Sequence, residues 1–106
     1  MPRPSPGEVW RVDLGLAAKV RPCLILSDYP ADDELALVVV VPHTTAVREN
    51  RWELAIPKPF LESGVFPLQQ VQPVSLPRLE RKLGTLSAEE FSRLGSALIR
   101  LLPLQG

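Results

Sequence analysis

Residues Glu8-Val9-Trp10-Arg11-Val12-Asp13-Leu14 alternate between polar and apolar side chains. A period of two sends Val9, Arg11 and Asp13 to one face and Trp10, Val12 and Leu14 to the other, which predicts a first strand. A short connection leads into 22–27, apolar enough for a central strand and able to carry Pro22 at its first position. The polar stretch 28–34 reads as a turn-rich loop, and 35–42, rich in valine, as a third strand buried on both faces. His43-Thr44-Thr45 ends that strand. Alternation returns at 51–56, a corner is expected at 64–67, and 68–73 reads as another short strand. Local connections between strands this short predict a small closed or nearly closed barrel.

The period then changes. Ser87-Ala88-Glu89-Glu90 has the form of a capping box, and Phe91, Leu94, Leu98 and Leu101 follow at helical spacing. This predicts one amphipathic helix that stops before Pro103 and packs on the barrel or on a partner. Twelve prolines exclude long helices elsewhere, because each costs about 3 kcal/mol in a helix interior.

Composition narrows the class. With 106 residues, 45% hydrophobic and 23% charged, the chain is expected to be a single domain over 1–106 with its own core. Twelve basic residues balance twelve acidic ones, so no long-range field draws nucleic acid and any anion site must be local. Cys23 has no partner for an internal disulfide, and no cysteine and histidine cluster offers a zinc site. The first ten residues lack a signal-peptide core, and no apolar run is long enough to span a bilayer. The expectation is a cytoplasmic protein with no metal and no membrane segment.

Several side chains have two readings. Arg21, before Pro22, suits either an anion or an ordinary ion pair with Glu8, Asp13 or Asp28. Thr44 suits a strand-ending hydroxyl bonded to nearby backbone. His43 has an ordinary pKa of about 6.5, suited to a general base, yet strand alternation turns it away from whatever Thr44 faces. Lys19, Arg48, Arg51, Arg78, Arg81 and Lys82 are loop-borne cations interleaved with Glu49, Glu53 and Glu80, either an RNA-binding rim or a charge-balanced surface. Trp52 suits base stacking or the core, and Trp10 the core. Asp32, Asp33 and Glu34 have the spacing of a solvated loop.

Three segments, GEVWRVDL at 7–14, RPCLILS at 21–27 and VVVVPHTT at 38–45, are followed by FPLQQVQPVSLPRL and LGTLSAEEF. Together and in this order they resemble the MazF/PemK/Kid toxins of bacterial toxin–antitoxin pairs, over nearly the whole chain. The resemblance implies a mainly β, SH3-like barrel of five to seven strands with a C-terminal helix, of CcdB/MazF/Kid type. It also implies a homodimer that cuts single-stranded RNA, an mRNA interferase needing no cofactor, held in check by a cognate antitoxin. Arg21 and Thr44 match the family's catalytic arginine and threonine, His43 and Thr45 flank them, and Gln69 and Gln70 match a polar pair near the groove.

The first loop here is short and carries no acid, where the family often has an acidic residue, and His43 stands where a small or apolar residue is more usual. Two alternatives accompany the endoribonuclease reading, one because the fold is shared and fold alone does not fix function, the other because of the acid-free loop. One is a non-enzymatic CcdB-like toxin that binds gyrase; the other is an inactive relative that binds RNA or antitoxin. The chemistry needed for cleavage by a 2′-hydroxyl is removal of its proton, stabilisation of a phosphorane, and a proton for the leaving 5′-oxygen. Arginine serves the second step, since its planar fork donates two parallel hydrogen bonds to phosphate oxygens.

Overall fold

The computed structural model describes residues 3–15, 17 and 19–104; Leu16 and Ala18 of the first connection and the two residues at each terminus lie outside them. Strands β1 (Glu8–Asp13), β2 (Val20–Ile25), β3 (Leu37–Pro42), β4 (Glu53–Leu54), β5 (Phe66–Pro67), β6 (Gln72–Ser75) and β7 (Leu79–Thr85) precede the helix α1 (Ala88–Leu101). Five of them form an antiparallel sheet in the order β6-β3-β2-β1-β7, and β4 pairs with β5 in a separate two-stranded ribbon.

The expected mainly β chain with a C-terminal helix is present, with one qualification: the sheet is not closed into a true barrel. Its edges, β6 and β7, share no ladder, yet Val74 of β6 and Leu79 of β7 lie in one apolar cluster. A strongly curved sheet thus covers its own inner face. That cluster collects Trp10, Val12, Cys23, Ile25, Val38 and Val40. Neighbouring positions on the same strands, Val9, Leu24 and Val41, lie in register across the sheet and join Phe66, Leu68 and Leu94 in a second core. Both faces of β1 are therefore buried at their apolar positions, which simple alternation did not require.

The helix begins as its sequence dictates. Ser87 Oγ accepts the Glu90 amide at 3.1 Å and Glu90 Oε1 accepts the Ser87 amide at 2.7 Å. Lys58 Nζ adds an ion pair with Glu90 at 2.6 Å, which ties the helix start to the segment before Phe60. Leu94 and Ala97 are buried, with Phe91, Leu98 and Leu101 packed against the core beside them. Ile99 points away from this face, at 65% exposure.

Several segments differ from the sequence expectation. The third strand, expected over 35–42 and buried on both faces, begins at Leu37, and Leu35 before it is 78% exposed; the alternation at 51–56 yields strand only at Glu53–Leu54. The strand expected at 68–73 is a 3-10 turn over Leu68–Gln70 followed by β6, and Pro73 sits inside that edge strand, where a missing N–H is tolerated. The corner expected at 64–67 is itself the short strand β5. Strand β7 lies in a stretch whose Glu80, Arg81 and Lys82 conceal alternation; they are exposed, and Arg11–Glu80 and Lys82–Glu8 ion pairs lace it to β1.

Candidate functional site

Arg21 is the second residue of β2, opposite Val12 of β1, and the β2–β3 ladder starts two positions later at Cys23 and Pro42. The carbonyl of Pro22 accepts the amide of His43 at 2.8 Å, extending contact between the strands past the ladder's end. This brings Arg21 beside the residues that leave β3. Thr44 exchanges two hydrogen bonds with Val65, each 2.9 Å, in an isolated bridge to the segment before β5. Gly64 makes that bridge possible, since a Cβ there would lie 2.1 Å from the Thr44 carbonyl oxygen.

Arg21 and Thr44 share the wall of one cleft of about 340 Å³. Thr44 Oγ1 accepts the Ala46 amide at 3.0 Å, so the hydroxyl's own hydrogen is left to donate. Gln69 and Gln70, exposed on the 3-10 turn after β5, face the same cleft from the opposite bank.

Arg48 and Asn50 line it from the loop between β3 and β4. That loop is organised by Glu53: its carboxylate accepts the Arg48 amide at 3.0 Å through each oxygen and the Asn50 amide at 3.2 Å. Asn50 Oδ1 in turn accepts the Trp52 amide at 2.9 Å. Asn50 is not among the site residues that the sequence suggests, and Glu53 reads there as a counter-charge. The signal was present in Asn50-Arg51-Trp52-Glu53, an Asx turn with an acid three residues on.

Other predicted residues take different places. His43 is buried at 5% exposure, with its ring edge-on to Phe66 at 5.0 Å, and borders a second cleft on the far side of Arg21. Burial pushes its pKa down, and the charge of Glu62 opposes this only in part. Thr45 and Lys19 line that second cleft with Arg11, so the successive threonines serve opposite sides of Arg21. Trp52 is half-buried against the core and carries the Arg51 guanidinium 4.5 Å above its ring; neither residue borders either cleft. Arg78 bonds the Asp13 carbonyl at 3.3 Å and Lys82 pairs with Glu8 at 3.1 Å, away from both clefts.

Cys23 is fully buried, and burial pushes its thiol pKa up to about 12, so it is packing and not a nucleophile. Among the described residues no group of three His, Cys, Asp or Glu side chains stands close enough to hold a metal ion. Among them, too, no helix is long and apolar enough to cross a membrane.

The arrangement offers a guanidinium, a hydroxyl donor and side-chain amides in one polar groove, the donor set that a phosphodiester and adjoining base edges require. Comparisons with known proteins bear on the chain as a whole. Among solved structures, an endoribonuclease in complex with its cognate antitoxin from a mycobacterial species is 26% identical, with a TM-score of 0.79, over 97% of this chain and 98% of that one. The Mycobacterium tuberculosis toxin MazF-mt6 is 25% identical, with a TM-score of 0.72, over 93% and 99% of the two chains. MazF from Deinococcus radiodurans shares the fold at a TM-score of 0.80, with 22% identity over 98% of this chain and 100% of its own. No match is found among curated proteins. A family model described as PemK-like, MazF-like toxin of type II toxin–antitoxin system matches residues 5–102, and the chain belongs to that family.

Proposed function

We propose that this chain is a toxin endoribonuclease that cleaves single-stranded RNA selectively, without a metal, through attack by the substrate's own 2′-hydroxyl. The observation that carries the reading is the shared cleft of Arg21 and Thr44, residues far apart in sequence that the start of β2 and the segment after β3 bring to one site. Arg21 takes the charge that builds on the non-bridging oxygens, and Thr44 Oγ1 donates one further hydrogen bond. Gln69, Gln70, Arg48 and Asn50 present donors and acceptors to the flanking bases, and their placement sets which sequence is cut.

The working unit is a homodimer in the cytoplasm, each subunit one domain over 1–106. Its antitoxin carries an acidic segment that occupies the cleft by pairing with Arg21 and Arg48. Membership of the toxin family and the likeness to an endoribonuclease bound to its antitoxin support this reading.

End-group analysis tests the mechanism. A long single-stranded RNA is digested, the cuts are mapped, and the substrate is remade with a 2′-deoxynucleotide at the mapped position. Loss of that cut, with 2′,3′-cyclic phosphate and 5′-hydroxyl termini at the others, is expected. Cutting that persists at the deoxy position, or 5′-phosphate termini, contradicts attack by the 2′-hydroxyl. Uncut RNA combined with inhibition of gyrase supports the CcdB-like alternative instead.

A further inference from the structure

Among the residues that line the Arg21–Thr44 cleft, Glu53 is the carboxylate, sharing one polar space with the guanidinium-bearing Arg21 and Arg48. It stands on a fixed element. Strand β4 pairs Glu53 with Pro67 of β5, and the Glu53 amide is bonded to the Asn50 carbonyl at 3.2 Å. The loop before it folds back onto its side chain. Glu49 takes a φ of 61°, in the left-handed region, and on either side of it the amides of Arg48 and Asn50 converge on the carboxylate.

A carboxylate offers roughly four acceptor positions, shared between its oxygens. Oε1 receives the Arg48 amide at 3.0 Å and the Asn50 amide at 3.2 Å, whereas Oε2 receives the Arg48 amide alone, at 3.0 Å. Oε2 therefore keeps an acceptor position that the loop does not use. Among the described residues no cation stands within ion-pair distance of Glu53. In a cleft whose arginines attract phosphate, a carboxylate repels the strand's backbone and attracts hydrogen-bond donors. Apart from the ribose hydroxyl, which every nucleotide carries, the donors of single-stranded RNA lie on its base edges.

Resting on the endoribonuclease reading, we propose that Glu53 is a base-selecting residue: its Oε2 accepts a hydrogen bond from the exocyclic amine of a base beside the scissile phosphate, so that adenine, cytosine or guanine is admitted there and uracil is refused. Uracil has no exocyclic amine. Its one free donor, N3–H, lies between two carbonyl oxygens, which a carboxylate repels. The other three bases each carry an amine, and acceptance from such an amine is how acidic side chains recognise cytosine. Loop anchor and selector are then the same group: the backbone amides hold the carboxylate still, and its remaining position reads the base.

The test varies substrate and enzyme together. Cuts made by the full chain in a long single-stranded RNA are mapped, and each base flanking a cut is replaced by uracil or by the analogue that lacks only the amine: inosine for guanosine, purine riboside for adenosine, 2-pyrimidinone riboside for cytidine. At one position the wild type should cut the amine-free and uracil RNAs about ten-fold more slowly, the low end for a hydrogen bond to a charged group. Glu53→Gln keeps an oxygen for the loop amides and loses the charge, and its side chain both donates and accepts; it should cut all three RNAs at similar rates. A purely structural role would instead slow every substrate alike and leave the ten-fold preference in place. Wild-type cutting that is indifferent to the amine and to uracil at every flanking position overturns the selector, whether or not the variant folds. A preference that persists undiminished in folded Glu53→Gln overturns it as well, and both results leave cleavage itself standing. A folded wild type that cuts no RNA overturns the endoribonuclease reading beneath it.

Discussion

Replacing Gly64 with alanine tests how the fold positions Thr44 without touching either cleft-lining side chain named as reactive. The new Cβ would lie 2.1 Å from the Thr44 carbonyl oxygen and 2.9 Å from His43 Cε1. Reaching 3.4 Å, the near limit of ordinary contact, requires the carbonyl to retreat by about 1.3 Å. His43 is pinned behind it against Phe66, and the carbonyl belongs to backbone, so no flexible side-chain end can absorb the shift.

Both 2.9 Å hydrogen bonds of the Thr44–Val65 bridge would break under such a displacement. At about 1 kcal/mol net for each bond and ~1 kcal/mol or more of residual overpacking, the loss is about 3 kcal/mol. For a domain of this size that lowers the melting temperature by about 15 °C. Thermal unfolding followed by circular dichroism reads this directly. Below the new midpoint the folded fraction should cleave RNA about 100-fold more slowly, because the hydroxyl has moved by an ångström relative to Arg21. A Gly64→Ala protein that melts within about 3 °C of wild type and cleaves normally would refute the claim that this close approach sets Thr44 in place.

Three other outcomes are expected. Ser87→Ala removes one half of the capping box and should cost about 1 kcal/mol in denaturant unfolding, with RNA cleavage unchanged; a shift in cleavage would mean that α1 bears on the site. Cys23 should resist a thiol reagent near neutral pH in the folded protein and react fully once unfolded, since its pKa of about 12 and its burial both withhold the thiolate; rapid labelling of the native protein would contradict that core. Because burial holds the pKa of His43 below 6.5, the unfolded chain takes up that proton first: stability is full above pH 6.5, falls as pH drops below it, and levels off at the folded value. His43→Gln should lose that slope, while the fall due to Glu90, whose pKa the Lys58 contact and then the Ser87 amide hold below 4.5, remains at lower pH; an unchanged slope would place the titration elsewhere.

How much of this was legible in the sequence depends on how local the cause is. The helix is written in a capping box and a stripe of apolar residues, both set by neighbours within four positions, and α1 appears where they place it. Strands β1 and β3 are likewise carried by alternation and by a valine run. Strand β7 was not, because its exposed Glu80, Arg81 and Lys82 take their places from ion pairs and ladder contacts with β1, some seventy residues away. The 3-10 turn at Leu68–Gln70 was hidden for a similar reason: the Leu68 amide is bonded to the Trp52 carbonyl, a partner that no local pattern reveals.

At the site, Arg21, Thr44, Gln69 and Gln70 could be singled out from motifs, but their common cleft could not. Asn50 and Glu53 reach it through an Asx turn and a carboxylate that gathers backbone amides, a tertiary role concealed under the appearance of a charged loop. Alternation separates His43 from Thr44 and puts Thr45 with His43 on the second cleft.

The central claim is that Arg21 stabilises the reacting phosphate in an RNA-cleaving site that works without a metal. Purified protein and its Arg21→Ala variant should be incubated with a long single-stranded RNA in EDTA, and new 5′ ends mapped. Removing a preorganised donor of this kind raises a barrier by ~2.7–4 kcal/mol, so discrete cuts by the wild type and a loss of about 100-fold or more in the variant are predicted. Intact RNA with a folded wild type, or equal cutting by both proteins, would contradict the account.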